Sequence, residues 1–179
     1  QVSVEPVVAS ADSGLDLREE DMDACRAEYE RLAREYVTRR RDGRWFSFFH
    51  FNLDLEGGPC VAKRLRGCGS GTEYLAVTPE GDLYPCHQFV GQPEFQMGTV
   101  FEGVKDTEMR NRFIQTTVYN KPECDACWAK FYCSGGCAAN AWQFNGDLMK
   151  PYAIGCELEK KRVECALWIK AQEMLQGEA

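Results

Sequence analysis

Seven of the ten cysteines in this 179-residue chain stand in an ordered framework: Cys68, Cys86, then Cys124, Cys127, Cys133 and Cys137 with C-x2-C-x5-C-x3-C spacing, then Cys156. Thiolates at such short intervals are donors to soft metals, and a structural zinc or a cubane iron-sulfur cluster each takes up to four of them. Seven or eight ligands therefore imply two sites. Zinc ribbons usually pair two C-x2-C hooks, whereas here the hook Cys124 and Cys127 runs on into Cys133 and Cys137 without a second one. An all-thiolate set with ligands left over fits clusters better, although His50 or His87 could complete a zinc site. Disulfides suit exported mini-domains. This chain is long enough to bury a core, and Gln1 to Ser10 lack the basic start and long apolar run of a signal segment, so the context reads as cytoplasmic.

With 44% apolar and 27% charged residues, the composition is that of an ordinary globular protein about one domain long. No apolar stretch approaches the roughly 18 residues that span a membrane. The formal net charge is -7, and each four-thiolate cubane would add about -2 when oxidised, so nucleic acid is not an expected partner. The one basic run, Arg39 to Arg41, sits at a helix end, where cations favour the dipole.

The elements that must carry these cysteines follow from periodicity. Val2, Val4, Val7 and Val8 around Pro6 read as a buried strand without neighbours, which points to a fragment of a larger sheet. Asp16 with Glu19 forms a capping box, and Met22, Cys25, Tyr29, Leu32, Tyr36 and Val37 then recur at helical spacing up to Gly43. Cys25 falls on that stripe as a packed core thiol. Trp45, Phe46, Phe48, Phe49 and Phe51 crowd a segment whose period does not separate strand from helix; core packing between two domains is expected there, with a substrate cleft as the other use. Gly57, Gly58 and Pro59 break the chain before Cys60. Gly67, Gly69 and Gly71 surround Cys68, either as plain turns or to let backbone amides approach a cluster. Glu73 to Thr78, the turn Pro79-Glu80-Gly81-Asp82 and Leu83 to Cys86 form a hairpin that places Cys86 relative to Cys68. A helix is expected over 106–118 with Met109, Phe113 and Ile114 inward, and another from Glu157 to Gln176 with Val163, Leu167 and Met174 buried and Cys165 in the core.

The framework Cys68, Gly81, Cys86, C-x2-C-x5-C-x3-C, Cys156 resembles the seven-cysteine signature of SPASM domains. These sit at the C-terminal end of radical S-adenosylmethionine enzymes and hold auxiliary 4Fe-4S clusters. The wording Ser3-Val4-Glu5-Pro6-Val7-Val8, Gly58-Pro59-Cys60, Glu73 to Gly81 and Pro85-Cys86-His87-Gln88-Phe89-Val90-Gly91 looks like the thioether-forming maturases of SCIFF peptides within that group.

The resemblance implies an α+β fold: a small irregular cysteine-rich domain with a β-hairpin and several helices around two clusters, preceded by the last strand and helix of a radical SAM barrel. Residues 1–43 would end the barrel, 44–59 bridge, 60–157 form the SPASM domain and 158–179 the C-terminal helix. It assigns Cys68, Cys86 and Cys137 to the first cluster, with Cys60 as fourth ligand or an iron left open for a substrate thiolate. Cys124, Cys127, Cys133 and Cys156 go to the second. Anaerobic sulfatase maturases, which share this domain, look to a carboxylate directly after the cysteine matching Cys86. Here that place holds His87, which serves as acid or base, or hydrogen-bonds a cluster thiolate. The radical-generating C-x3-C-x2-C motif is absent, so the chain alone is expected to be inactive, with S-adenosylmethionine and a third 4Fe-4S cluster belonging to a missing N-terminal part. Expected partners are a cysteine-rich precursor peptide and an electron donor such as a flavodoxin or ferredoxin. The alternatives are a maturase or dehydrogenase acting on another peptide or protein, and a zinc-binding interaction module.

Overall fold

Met22, Tyr29, Ala33, Tyr36 and Val37 recur at helical spacing and form the buried stripe of helix α1, Met22–Arg41, in the computed structural model, which describes residues 1–9, 13–55, 57, 60–175 and 177. Ser10, Gly58, Pro59 and Gln176 lie outside the described residues. The chain divides into two units, one made of residues 1–7, 15–60 and 153–179, the other of 8–14 and 61–152.

In the first unit α1 starts later than Asp16 and Glu19 suggest. The reciprocal contact at its entrance is made instead by Arg18, whose backbone N–H donates to Asp21 at 2.9 Å across a 3-10 turn, Glu19–Asp21. Arg39, Arg40 and Arg41 close the helix, and Arg39 pairs with Glu35 at 2.6 Å. Its partner is helix α6, Ala153–Leu175, which begins four residues before the expected Glu157, so Cys156 lies in its first turn. Ion pairs Arg26–Glu157 at 3.6 Å, Glu30–Lys161 at 2.6 Å and Arg40–Glu173 at 2.6 Å advance together along both helices and set them parallel. The buried face of α6 comprises Ile154, Leu158, Arg162, Val163, Cys165, Ala166, Ile169 and Glu173. Leu167 and Met174, expected inside, are exposed, because the stripe follows Arg162 and Glu173, whose charges are met from α1 and the N-terminal segment. The aromatic segment packs within this unit: Phe46 and Phe51 meet Tyr36 edge-on, while Trp45 and Phe49 stay exposed. The N-terminal valines form no sheet strand here; Val2 makes a single parallel bridge to Phe48, and Val2, Val4 and Val7 are exposed.

Cys165 is buried, as expected of a core thiol, and burial pushes it up to about 11 while Lys161 pulls the other way. An unfolded thiol ionises near about 8.5. The protonated thiol therefore contributes stability that is complete below pH of about 8.5 and lost as the pH rises to about 11, on the order of 3 kcal/mol. Thermal unfolding across that window should show a steeper fall in Tm for the wild-type chain than for Cys165→Ala.

In the second unit the hairpin is present: β1, Ala76–Val77, pairs antiparallel with β2, Asp82–Tyr84, in the register Ala76 to Tyr84 and Val77 to Leu83. Two further strands, β3 (Gly98–Thr99) and β4 (Gly103–Val104), extend it into an antiparallel sheet of order β1-β2-β3-β4. They are two residues long and glycine-bearing, so they carry no alternating pattern to read. Asp106 caps α2, Thr107–Gln115, by accepting the Met109 N–H at 2.8 Å. Met109 and Phe113 point inward from it to Phe89 and Phe95, whose tilted rings have centroids 4.3 Å apart, and Ile114 is half-buried. Short helices α3 (Pro122–Asp125) and α4 (Lys130–Cys133) follow, then α5 (Ala138–Asn145). Among the described residues no helix is long and apolar enough to cross a membrane.

Candidate metal centre

Three loops of the second unit bring Cys68, Cys86 and Cys137 together. Cys86 follows β2 directly and lies in the apolar core beside Tyr84 and Phe89. The Cys68 loop is fastened to it by the Gly71 N–H, which donates to the Pro85 carbonyl at 2.9 Å. That approach needs a glycine: Gly71 has φ +71°, and a Cβ there would come within 2.8 Å of the Phe113 ring. Gly67 faces the other loop, where a Cβ would stand 2.9 Å from the carbonyl of Gly136, the residue before Cys137. The glycines flanking Cys68 thus let three backbones close around one place.

Cys137 stands at the N-cap position of α5. Its side chain is exposed, as is that of Cys68, whereas Cys86 is buried. Burial pushes the Cys86 thiol up, and negative charge on Cys137 or Cys68 pushes it further. The backbone N–H groups of Gln88 and Phe89 act against this by donating to its sulfur. Tyr74 reports on the same convergence. Its hydroxyl lies 3.5 Å from Cys68 Sγ, and its phenol is held far above the ordinary range by burial, by that hydrogen bond and by charge on Cys68, Cys86 and Cys137.

A buried thiol that feels the charge of two others, as Cys86 feels Cys137 and Cys68, fits a cationic core. Loading deprotonates them together, and amide and hydroxyl donors around the sulfurs suit a cluster, in which each thiolate ligates its own iron. Among the described residues, no three or more His, Cys, Asp or Glu side chains close on a single point as ligands of one metal ion.

The second set is distributed differently. Cys124, buried in α3, is pushed up by burial, and Cys127 and Glu123 add to the rise while Lys121 opposes it, so Cys124 and Cys127 are electrostatic neighbours. Cys133 ends α4, half-buried. Ser134, Gly135 and Gly136 then take φ of 60°, 88° and 73°, a bend that turns Cys137 away along α5. Cys156 and the exposed Cys60 belong to the first unit. His87 opens a 3-10 turn, His87–Phe89; it is exposed, and its Nε2 lies 3.1 Å from Gln88 Nε2. His50 is buried in the first unit, where its Nε2 accepts from the Val4 N–H at 3.3 Å and lies 3.1 Å from Glu5. Burial, then the charge of Arg162, lowers its pKa, so the neutral ring accepts from Val4, and the Glu5 contact becomes a hydrogen bond only on protonation.

A family model for SPASM, an iron-sulfur cluster-binding domain, matches residues 68–128, a span that includes Cys68, Cys86, Cys124 and Cys127. Residues 68–128 are thus similar to a SPASM domain. Solved structures with a similar fold include polyhistidine-tagged anSMEcpe with bound AdoMet, at TM-score 0.61 and 20% identity over 92% of this chain and 43% of that one. Native anSMEcpe with bound AdoMet and a Cp18Cys peptide matches at TM-score 0.59 and 19% identity over 89% of this chain and 44% of that one. The chain therefore spans less than half the length of these neighbours. The likeness to these structures is one of fold, and the family match over residues 68–128 agrees with the expected resemblance to an iron-sulfur cluster-binding SPASM domain.

Two residues within the matched span escape a reading of the cysteine pattern: Tyr74, legible only as a strand residue, and Lys121, which nothing in the sequence sets apart from other lysines. If Cys68 binds iron as a thiolate it has no proton, and the Tyr74 hydroxyl is then the donor of their contact. Tyr74→Phe should leave the iron content unchanged and lower the one-electron reduction constant of the cluster at Cys68 about threefold, because the reduced, more negative state loses a hydrogen bond. Redox titration followed by electron paramagnetic resonance measures it.

Proposed function

We propose that the chain is the auxiliary-cluster and substrate-binding portion of a radical S-adenosylmethionine enzyme that installs thioether cross-links in a cysteine-rich ribosomal precursor peptide. The observation that carries this reading is the convergence of Cys68, Cys86 and Cys137 around Tyr74. In it, those three cysteines hold the first 4Fe-4S cluster, with Cys60 as fourth ligand or one iron left open, and Cys124, Cys127, Cys133 and Cys156 hold the second. When bound, the first cluster supplies an iron for the peptide thiolate and an acceptor for the electron that sulfur-carbon bond formation releases. The backbone amides of Gln88 and Phe89 and the Tyr74 hydroxyl offset the charge on the ligand sulfurs. His87, exposed one residue beyond Cys86, is the proposed base for the peptide thiol's proton.

The radical-generating cluster and S-adenosylmethionine are assigned to a part of the protein beyond these 179 residues. The lack of a C-x3-C-x2-C motif here and the 43% coverage of anSMEcpe support that division, and by themselves these residues are inactive. Residues 1–43 then end the radical SAM barrel, and 60–157 are the cluster domain. A flavodoxin or ferredoxin in the cytoplasm supplies electrons.

Anaerobically purified protein should be brown and hold about eight irons and eight sulfides per chain. Colourless protein with stoichiometric zinc would instead support an interaction module. With the full-length enzyme, mass spectrometry of a cysteine-rich precursor should show loss of a hydrogen pair for each cross-link. The Cp18Cys peptide bound to anSMEcpe favours a second reading, a maturase of another peptide or protein, and a modification other than a thioether would select it.

A further inference from the structure

From Gly57 to Thr72 the sequence holds no Asp or Glu, in a chain with 28 acidic and 21 basic residues, yet Lys63, Arg64 and Arg66 fall within that stretch. Lys63 and Arg64 close a 3-10 turn, Val61–Arg64, that packs against α4, and the Leu65 carbonyl fastens the segment by accepting the Val118 N–H at 2.8 Å. Both side chains are exposed, and among the described residues neither meets an acid at ion-pair distance. Arg66 meets Glu73 loosely, at 3.8 Å and in contact with solvent, and it lines a small cavity with Cys68, Ser70, Thr72 and Gly136. Three cations thus lie on the segment that enters the Cys68 loop.

A cubane held by three thiolates carries about -1 when oxidised, and about -2 once a peptide thiolate joins it. An incoming peptide thiolate therefore approaches an anion, and cations on the neighbouring segment offset that repulsion and speed the encounter. Exposed cations that meet no acid of their own chain are complementary to acids on a partner. We infer that the segment 63–66 is a recognition site for an acidic stretch beside the reacting cysteine of the peptide substrate, with Lys63, Arg64 and Arg66 as its contacts. This rests on the peptide-maturase reading above. An acidic electron-carrier protein offers the same charge, but the segment runs into the group whose Cys68 and Cys137 are exposed. In the other group Cys124 is buried and Cys127 and Cys133 are half-buried. Arg66 exchanges Glu73 for a peptide carboxylate, which an exposed and therefore weak pair permits.

The test measures, by fluorescence anisotropy, the binding of short dye-labelled peptides to the anaerobically reconstituted full-length enzyme, each peptide with one cysteine flanked by glutamates, by glutamines or by lysines. We expect the glutamate peptide to bind about tenfold tighter than the glutamine peptide at low salt, an advantage that fades as ionic strength rises. In Lys63→Glu combined with Arg64→Glu, the lysine peptide should take over that preference. The same reversal at Lys105 and Lys150 together, exposed cations on other segments of the unit, should leave the order as in the wild type. Equal binding of the three peptides overturns the inference, and so does a shift of the same size in both double variants, which would trace it to overall charge. A Lys63 and Arg64 variant that keeps the wild-type order but is reduced more slowly by an acidic flavodoxin also overturns it, and gives this face to the electron carrier. Mass spectrometry of the precursor scores the cross-linking reading separately. The glutamate preference without any thioether overturns that reading alone, and thioether formation without the preference overturns this inference alone.

Discussion

Replacing Cys86 with alanine should halve the iron of the anaerobically reconstituted chain, from about eight to about four per molecule, with the remaining signal belonging to the other cluster. The size of the effect follows from the position of the side chain. Cys86 is 6% exposed, packed in the core with Phe89 and Phe113, and its sulfur receives the N–H groups of Gln88 and Phe89. No other described side chain in that core is a thiol, imidazole or carboxylate, so the alanine leaves an apolar wall where a ligand stood. Removing one sulfur atom in exchange costs the apo fold only about 1 kcal/mol, well below the loss of a large side chain. Iron analysis and the melting temperature of the apo form separate the two consequences.

The same experiment resolves how the ligands interleave. Cys137 follows Cys133 by four residues, yet the structure joins it electrostatically to Cys86 and to Tyr74. If Cys86 and Cys137 serve one cluster, the double alanine variant loses no more iron than either single one, as expected for residues that act as a unit. Cys86→Ala combined with Cys124→Ala should lose both clusters.

The cysteine spacing announced metal chemistry because ligand geometry is short-range: a C-x2-C hook and a hairpin before Cys86 are local facts. The convergence of Cys68 with Cys137 is not local. It depends on Gly67 against Gly136 and Gly71 against Pro85, close approaches between residues far apart in sequence, and a glycine does not state which backbone will pass it. Helix α1 was legible because its stripe is apolar. For α6 the reading went astray at Leu167 and Met174, since the face that packs on α1 includes Arg162 and Glu173, and hydropathy places charges outside. Strands β3 and β4 were missed for a related reason: their pairing is made by backbone groups with almost no side-chain signal.

Arg162→Met should destabilise the α1–α6 unit by about 3–5 kcal/mol, the range for a buried ion network that loses one partner. The guanidinium is 5% exposed and each of its nitrogens is used. Nε donates to Tyr29 Oη on α1 at 2.9 Å, Nη1 lies 3.3 Å from Glu159 and 3.5 Å from Glu5, and Nη2 donates to the Val4 carbonyl. Burial alone would lower its pKa, but Tyr29, Glu5 and Glu159 reverse that and keep it charged. One side chain therefore joins the N-terminal segment, α1 and α6. Methionine fills much of the space but leaves the Tyr29 hydroxyl and the Val4 carbonyl without this donor, and that loss dominates the cost. Arg162→Lys should recover only part of it, because an ammonium cannot reproduce a fork that reaches three segments at once. Urea unfolding followed through the helical circular dichroism signal measures the loss as a lower midpoint with an unchanged slope. A second readout separates charge from packing: the Arg162 charge helps hold the His50 pKa down, so in Arg162→Met the His50 ring should titrate at a higher pH by NMR, and in Arg162→Lys much less so. A His50 titration unmoved by the methionine variant would show that packing, with no share from the charge, governs this cluster.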